Sequence, residues 1–484
     1  MEKEREVATS DLAFLREQVE KRRDQWREAS DAIYSFAELS YEEFQSMEVL
    51  VGILMQEGFT VETGLAGMPT CFRGSWGEGG PVMGLLGEFD SLDKLSQEGG
   101  NPERKPVKEG APGHGCGHCC LGVGSLAAAV ALKEYLEERH LPGRVVYFGC
   151  PAEEGAGAKQ FMARVGLFEE LDFCFTWHPD SENTVRNSTC NAIMGANFSF
   201  YGKTAHAGAC PHLGRSALDA AELMSVGCNY LREHIEDGQR IHYAYADAGG
   251  SAPNVVPDYA RVKYEVRSAT VRQMKALFDR VVKVAQGAAL MTETRMEYEV
   301  TMAFSDMVNN SVLARVASDA LSEVGAPAWD EKDYALAKAF LDSYDEDSLA
   351  VIREGMEKDY GEEASALWER PLHRSVIPYG STAPTVEGGS TDVGDVTYTV
   401  PTCEIRVATC ALGTIGHTWQ MAGQAGSCLG HKGLMTAAVA MALSCVRSMD
   451  DEIIRKAKEE TLKRNGGRYV CPLPDEVVPP VGKY

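Results

Sequence analysis

Residues 144–157 read RVVYFGCPAEEGAG. The first seven are almost wholly apolar and end on Cys150; Pro151 and Ala152 lead into an adjacent pair of glutamates, Glu153 and Glu154. A short apolar run bounded by turn residues predicts a buried strand. One without polar alternation belongs in a sheet covered on both faces. Two other runs repeat the pattern. PVMGLLG at 81–87 is closed by Glu88-Phe89-Asp90, and DFCFTW at 172–177 is closed by His178-Pro179-Asp180. Between the first two, residues 99–117 predict a loop and residues 121–138 a buried helix. Strands alternating with helices predict an α/β fold built on parallel strands. In such sheets ligands bind where loops leave the carboxyl ends of the strands.

The rest of the chain frames this core. Residues 10–39 predict one helix with Ser10 as its N-cap, and a second helix is expected over about 41–57. Near residue 190 the pattern changes to β-α-β-β-α, with alternating runs at 197–201, 240–246 and 261–267, helices at 216–235 and 271–291, and a last alternating run at 297–304. This reads as an α+β module inserted into the first domain. The predicted boundaries are 1–188 for the first part of the main domain, 189–308 for the insert and 309–484 for the second part. Residues 362–396 predict a long functional loop, and 433–447 the last strong helix.

The chain has 484 residues, 44% of them apolar, enough for a sizeable core. Its 71 acidic and 47 basic side chains give a formal charge of −24. That balance argues against nucleic acid and against anionic membranes as partners. The charged N-terminus predicts no secretory signal, and no run of about 18 apolar residues predicts a transmembrane helix. The fourteen cysteines are scattered rather than dense. A reduced, cytoplasmic protein is the expectation.

Chemistry-bearing residues recur at the predicted strand ends: Glu88 and Asp90, Glu153 and Glu154, then His178. Between the first two lies GHGCGHCC, with His114, Cys116, His118, Cys119 and Cys120; near the C-terminus GTIGHTW supplies His417. Each alone has a plainer reading. A histidine after a strand is usually a hydrogen-bonded loop residue, and adjacent glutamates are usually solvated. Cys116 and Cys119 have CxxC spacing, but no second CxxC completes a structural zinc site. Their gathering along one sheet edge is what the plainer readings leave unexplained.

Seven segments in this order, GHGCGHCCLG (113–122), PAEEGAGA (151–158), WHPD (177–180), GKTAHAG (202–208), APNVVPD (252–258), GSTDVGDV (389–396) and GTIGHTWQ (413–420), resemble the M20 metallopeptidase superfamily in its amidohydrolase branch. The resemblance spans nearly the whole chain. It implies a zinc-aminopeptidase-like mixed sheet flanked by helices, with an inserted α+β lid that dimerises. It also implies two divalent metal ions per subunit, Mn2+ or Zn2+, held by Cys116, His118, Glu154, His178 and His417. Glu153 is then the general base, and His206 a lid histidine that reaches an active site, usually the partner subunit's. Asn254 is implied in substrate binding. Arg215, with Lys203 and Arg267, is one of the lid cations that could anchor a substrate carboxylate. Asp90 is expected to orient a ligand. Asp392 and Asp395 either orient His417 or shape a turn. His114 is as readily structural as functional, His431 reads as a cap or packing residue, and Cys119 stands where relatives commonly carry Asp or Asn.

The implied reaction is metal-dependent hydrolysis of the amide bond in an N-acyl or N-aroyl amino acid such as p-aminobenzoyl-glutamate. Two close cations lower the pKa of a bridging water and polarise the carbonyl. A free carboxylate must still take a proton and pass it to the leaving amine. A homodimer through the lid is expected, and a second subunit type is compatible. The alternatives are a dipeptidase, an amidase for another acylated compound, and a metal-binding partner subunit of a hetero-oligomeric hydrolase.

Overall fold

The three apolar runs are neighbours in one sheet. A computed structural model describes the backbone of residues 2–482 and the side chains of residues 11–482. Val82–Glu88 pairs in parallel with Gly143–Cys150 on one side and with Phe173–Asp180 on the other. Thr402–Ala408 continues the parallel set beside Phe173–Asp180. Antiparallel strands complete both edges: Phe72–Glu78 and Thr60–Thr63 at one, Thr184–Val185 at the other. The sheet therefore has seven strands and mixed pairing. Its four parallel strands all direct their carboxyl ends to the same side.

Successive residues of these strands face opposite cores, as the two-residue period requires. Val145 and Tyr147 join the cluster under helices Phe44–Gln56, His118–Arg139, Ser311–Val324 and Cys428–Ser448. Val146 and Phe148 join the cluster that covers the other face and continues into the insert. Helices His118–Arg139 and Cys428–Ser448 are long and apolar enough to cross a membrane by composition. Both are packed mostly inside the fold, which accounts for their apolarity.

The insert carries its own antiparallel sheet, in the order Arg295–Phe304, Ala192–Tyr201, Tyr259–Ser268, Arg240–Asp247. Helices Ala217–Leu231 and Val271–Thr292 cover it, capped by Ser216 and Thr270, whose hydroxyls accept backbone N–H groups. Phe198, Tyr264 and Phe278 fill the space between.

Several local expectations differ. Residues 362–396 hold helix Ala364–Glu369 and the start of Val393–Thr397 rather than one loop, and helix Asp451–Arg464 follows the one expected last. The first helix is two, Glu2–Glu20 and Arg23–Phe36, so Ser10 lies within a helix rather than at its start. The next begins at Phe44, because Tyr41 takes a left-handed backbone (φ 65°). Strand Thr402–Ala408 escaped the sequence reading because Glu404 and Arg406 interrupt its apolar run. Both are accommodated by pairing: Arg186 and Arg406 each contact Glu404, at 2.9 and 3.0 Å.

Candidate metal centre and catalytic site

The parallel strand ends and two loops converge on one cluster. Gly117, at φ 82°, turns the GCGH loop into helix His118–Arg139; a Cβ there would press against Pro179 at 3.0 Å. Cys116 is thereby set just before the helix and His118 on its first turn. His118 Nδ1 lies 3.0 Å from Asp90 Oδ1, so this nitrogen donates and Nε2 presents its lone pair to the cluster. His178 follows the same logic: Nδ1 donates to the Pro179 carbonyl at 2.7 Å, and Nε2 faces Cys116 Sγ at 3.4 Å.

His417 arrives from the far end of the chain. Its backbone is left-handed (φ 57°), uncommon for a residue with a Cβ. Its N–H donates to the Gly115 carbonyl at 3.0 Å, tying the C-terminal loop to the GCGH loop. Its Nε2 lies 3.5 Å from Glu154 Oε2. Ala152, also left-handed (φ 60°), turns the chain so that Glu153 and Glu154 enter the cluster from the end of strand Gly143–Cys150. Asp90 spans the two halves: its second oxygen accepts the Glu154 N–H at 2.9 Å.

Two triads of ligand atoms result, Cys116–His118–His178 and Cys116–Glu154–His417, and they share the Cys116 sulfur. Two buried atoms in them, His118 Nε2 and Glu154 Oε1, have no hydrogen-bond partner. Buried polar atoms are normally satisfied. Orphans aimed into a cluster of thiol, imidazole and carboxylate fit divalent transition-metal ions, which these residues would hold. A third triad of potential ligand atoms, Glu88–His118–Glu153, places Glu153 beside the centre but outside the two that share the sulfur.

Burial is the largest influence on the charges of the cluster. Burial pushes the Cys116 thiol far above its usual range and Glu154 adds to this, so its ionisation depends on cations alongside. Burial works against a charged His118, but Cys116 and Asp90 outweigh it and hold it well above an ordinary imidazole, so a cation bound at Nε2 has to displace a proton there. Burial raises Glu153 strongly, with Glu88, Glu154 and Asp392 adding repulsion.

Other sequence candidates lie elsewhere. Asp392 does not meet His417. It accepts the Lys159 ammonium at 2.5 Å and the N–H groups of Ala158 and Lys159. Asp395 accepts from Ser305 and Tyr469. Cys119 and Cys120 are buried in the apolar core behind the loop. His114 is buried too, its Nε2 3.0 Å from the Ile33 carbonyl, and His431 pairs with Asp31. On the insert, His206 and Asn254 stand together on an exposed rim, where the Ala207 N–H donates to the Asn254 carbonyl. His206 Nδ1 accepts the N–H groups of Gly208 and Ala209, which puts its proton on Nε2. Arg215 is held by Glu293 at 2.8 Å and by the carbonyls of His212 and Gly214; a substrate carboxylate there has to displace Glu293. Arg267 contacts Ser390 and Glu265.

Sequence reading missed Lys159. It is fully buried and bridges Glu88 Oε1 (2.7 Å) and Asp392 behind Glu153. The signal for it was a lone lysine in the small, apolar stretch GAGAKQFMA, where a charge needs a buried partner.

The chain is similar to several known proteins. The profile of Peptidase family M20/M25/M40 matches residues 84–353. Both p-aminobenzoyl-glutamate hydrolase subunits of Escherichia coli are similar to the chain. One is 39% identical over 472 residues, 96% of this chain and 98% of its own length. The other is 32% identical over 46% of this chain and 53% of its own length. A Bacillus subtilis crystal structure, described as a dinuclear metal-binding peptidase of the M20 family, shares the fold at TM-score 0.55. It is 16% identical and aligns over 90% of this chain and 99% of that one. With the family profile covering more than half of the sequence and a full-length relative at this identity, the chain belongs to Peptidase family M20/M25/M40.

Proposed function

We propose that the protein is a metal-dependent amidohydrolase that cleaves the amide bond of N-acyl or N-aroyl amino acids, with p-aminobenzoyl-glutamate as the leading substrate. The observation that carries this reading is a cysteine shared by two ligand triads, with the carboxylate of Glu153 beside them and outside both. A structural metal site has no need of such a carboxylate. When bound, two divalent ions, manganese or zinc, supply Lewis acidity and activate water. Cys116, His118, Glu154, His178 and His417 hold them; Asp90 fixes the His118 tautomer. Glu153 takes the proton of the attacking water and passes it to the leaving amine. His206 donates from Nε2 to the carbonyl oxygen as charge develops there. Its exposed position on the insert rim supports delivery to the active site of a second copy, in a homodimer formed through the insert. Asn254 beside it contacts substrate, and Arg215, once freed from Glu293, offers a carboxylate anchor. The likeness to two different polypeptides of one hydrolase supports a second type of chain as a further partner. The fourteen unpaired cysteines support a reducing compartment, the cytoplasm.

Replacing Glu153 with Gln tests the reading. Metal content is measured by elemental analysis and p-aminobenzoyl-glutamate hydrolysis by release of the free amine. Both ions should remain, and turnover should fall by about 10²–10⁴, the usual worth of a positioned base. Undiminished turnover in the metal-loaded variant rejects the base assignment. A metal-loaded wild-type chain that is inactive alone and active with a second type of chain favours the partner-subunit reading.

A further inference from the structure

The turn that carries Glu153 and Glu154 is gripped at both ends by one short segment far away in sequence. Tyr41 and Glu43 precede helix Phe44–Gln56, and both are buried. Glu43 Oε1 accepts the Ala152 N–H at 2.9 Å, at the entrance of the turn. The Tyr41 hydroxyl donates to the Gly157 carbonyl at 2.6 Å, at its exit. Within the turn, the N–H groups of Gly155 and Gly157 both donate to the Ala152 carbonyl. Glu43 is itself fixed: Oε1 also accepts the Tyr41 N–H at 2.9 Å, and Oε2 accepts the Thr70 hydroxyl at 2.8 Å. The left-handed backbone of Tyr41 directs its ring to one end of the turn while Glu43 meets the other. Ala152 is left-handed as well. A residue with a Cβ stays in that region only where its surroundings impose it, and the Glu43 carboxylate on its N–H is such an imposition. Strand pairing accounts for neither contact, because Ala152 and Gly157 lie beyond the end of strand Gly143–Cys150.

We propose that Tyr41 and Glu43 are positioning residues that clamp the Ala152–Gly157 turn and so fix where Glu153 and Glu154 point. The clamp's effect on turnover rests on Glu153 being the base; its effect on the turn does not. Two readouts separate these. The first is amide hydrogen exchange of the peptide spanning 152–158 in metal-free protein. The second is kcat and KM with bound metal counted. Tyr41→Phe removes one oxygen and keeps the ring's shape. Glu43→Ala removes the acceptor for the Ala152 N–H, whereas Glu43→Gln keeps an oxygen in that place. Tyr41→Phe and Glu43→Ala should speed exchange of the turn about tenfold while exchange of the sheet is unchanged. They should lower kcat by about tenfold or more at constant KM, as displacement of a reacting group does. Glu43→Gln should restore most of both. If Glu43→Ala does not fold, Tyr41→Phe carries the test alone. Unchanged exchange in Tyr41→Phe overturns the clamp. Faster exchange with wild-type kcat overturns its role in positioning. If Glu153→Gln retains turnover while exchange still quickens, the base assignment falls and the clamp on the turn stands.

Discussion

Replacing Lys159 with Met should cost the main domain about 3–5 kcal/mol of stability, the usual penalty for removing one partner of a buried ion pair. Lys159 is fully buried, with its ammonium 2.7 Å from Glu88 and 2.5 Å from Asp392. At an effective dielectric of about 20, each contact is worth roughly 6 kcal/mol of gross attraction. Most of that is offset by the desolvation of all three charges. Without the lysine, two carboxylates are stranded beside Glu153, and the expected loss is their uncompensated burial. Methionine fills a similar volume, so the loss is electrostatic rather than a cavity effect. The six tryptophans, at 26, 76, 177, 329, 368 and 419, all lie outside the inserted sheet. Denaturant unfolding followed by their fluorescence therefore reports the main domain. Metal-free protein is required, since bound ions would add their own stabilisation. The triple variant Lys159→Met, Glu88→Gln, Asp392→Asn removes the stranded charges and should recover most of the loss. A single-variant cost below about 1 kcal/mol, or a triple variant no better than the single, refutes the argument.

Two further outcomes are expected. Burial pushes the Glu404 carboxyl up, but Arg186 and Arg406 overcome it and hold it down at about 2. A folded value below the unfolded one stabilises above the ordinary glutamate range, and the gain is lost as pH falls through about 4.5 towards 2. Glu404→Gln should therefore cost about 3 kcal/mol at pH 7 and about 1 kcal/mol less at pH 4, read from paired denaturation curves; an equal cost at both pH values rules this out. For His206, mixing inactive His206→Ala subunits with inactive Glu153→Gln subunits should restore part of the activity, because some mixed dimers hold one intact site. Failure to recover activity after verified exchange of protomers counts against action across the dimer.

The sequence made much of this molecule legible, for identifiable reasons. The three central strands are apolar on both faces, and their ends carry Glu88, Asp90, Glu153, Glu154 and His178, which gather in one cluster, so pattern and chemistry marked the same places. The insert was legible because its strands alternate and its helices are amphipathic. What stayed hidden depends on contacts across long separations. No local pattern assigns Asp392 to Lys159 rather than to His417. Nothing in SYEE announces that Tyr41 leaves the helical region to reach Gly157. Strand Thr402–Ala408 was concealed by Glu404 and Arg406, which a strand pattern excludes unless the charges that neutralise them are already known.

The two triads draw their ligands from different stretches of the chain. Cys116 and His178, with His118 between them in sequence, are separated by only 62 positions, whereas the second triad waits for His417, whose loop is pinned to Gly115. Chains emerge from the ribosome N-terminus first. A nascent chain thus exposes a complete first set of ligands long before the last imidazole of the second has been made. The cluster as a whole is therefore gathered only after His417 and strand Thr402–Ala408, which pairs with the strand that carries His178, have been made.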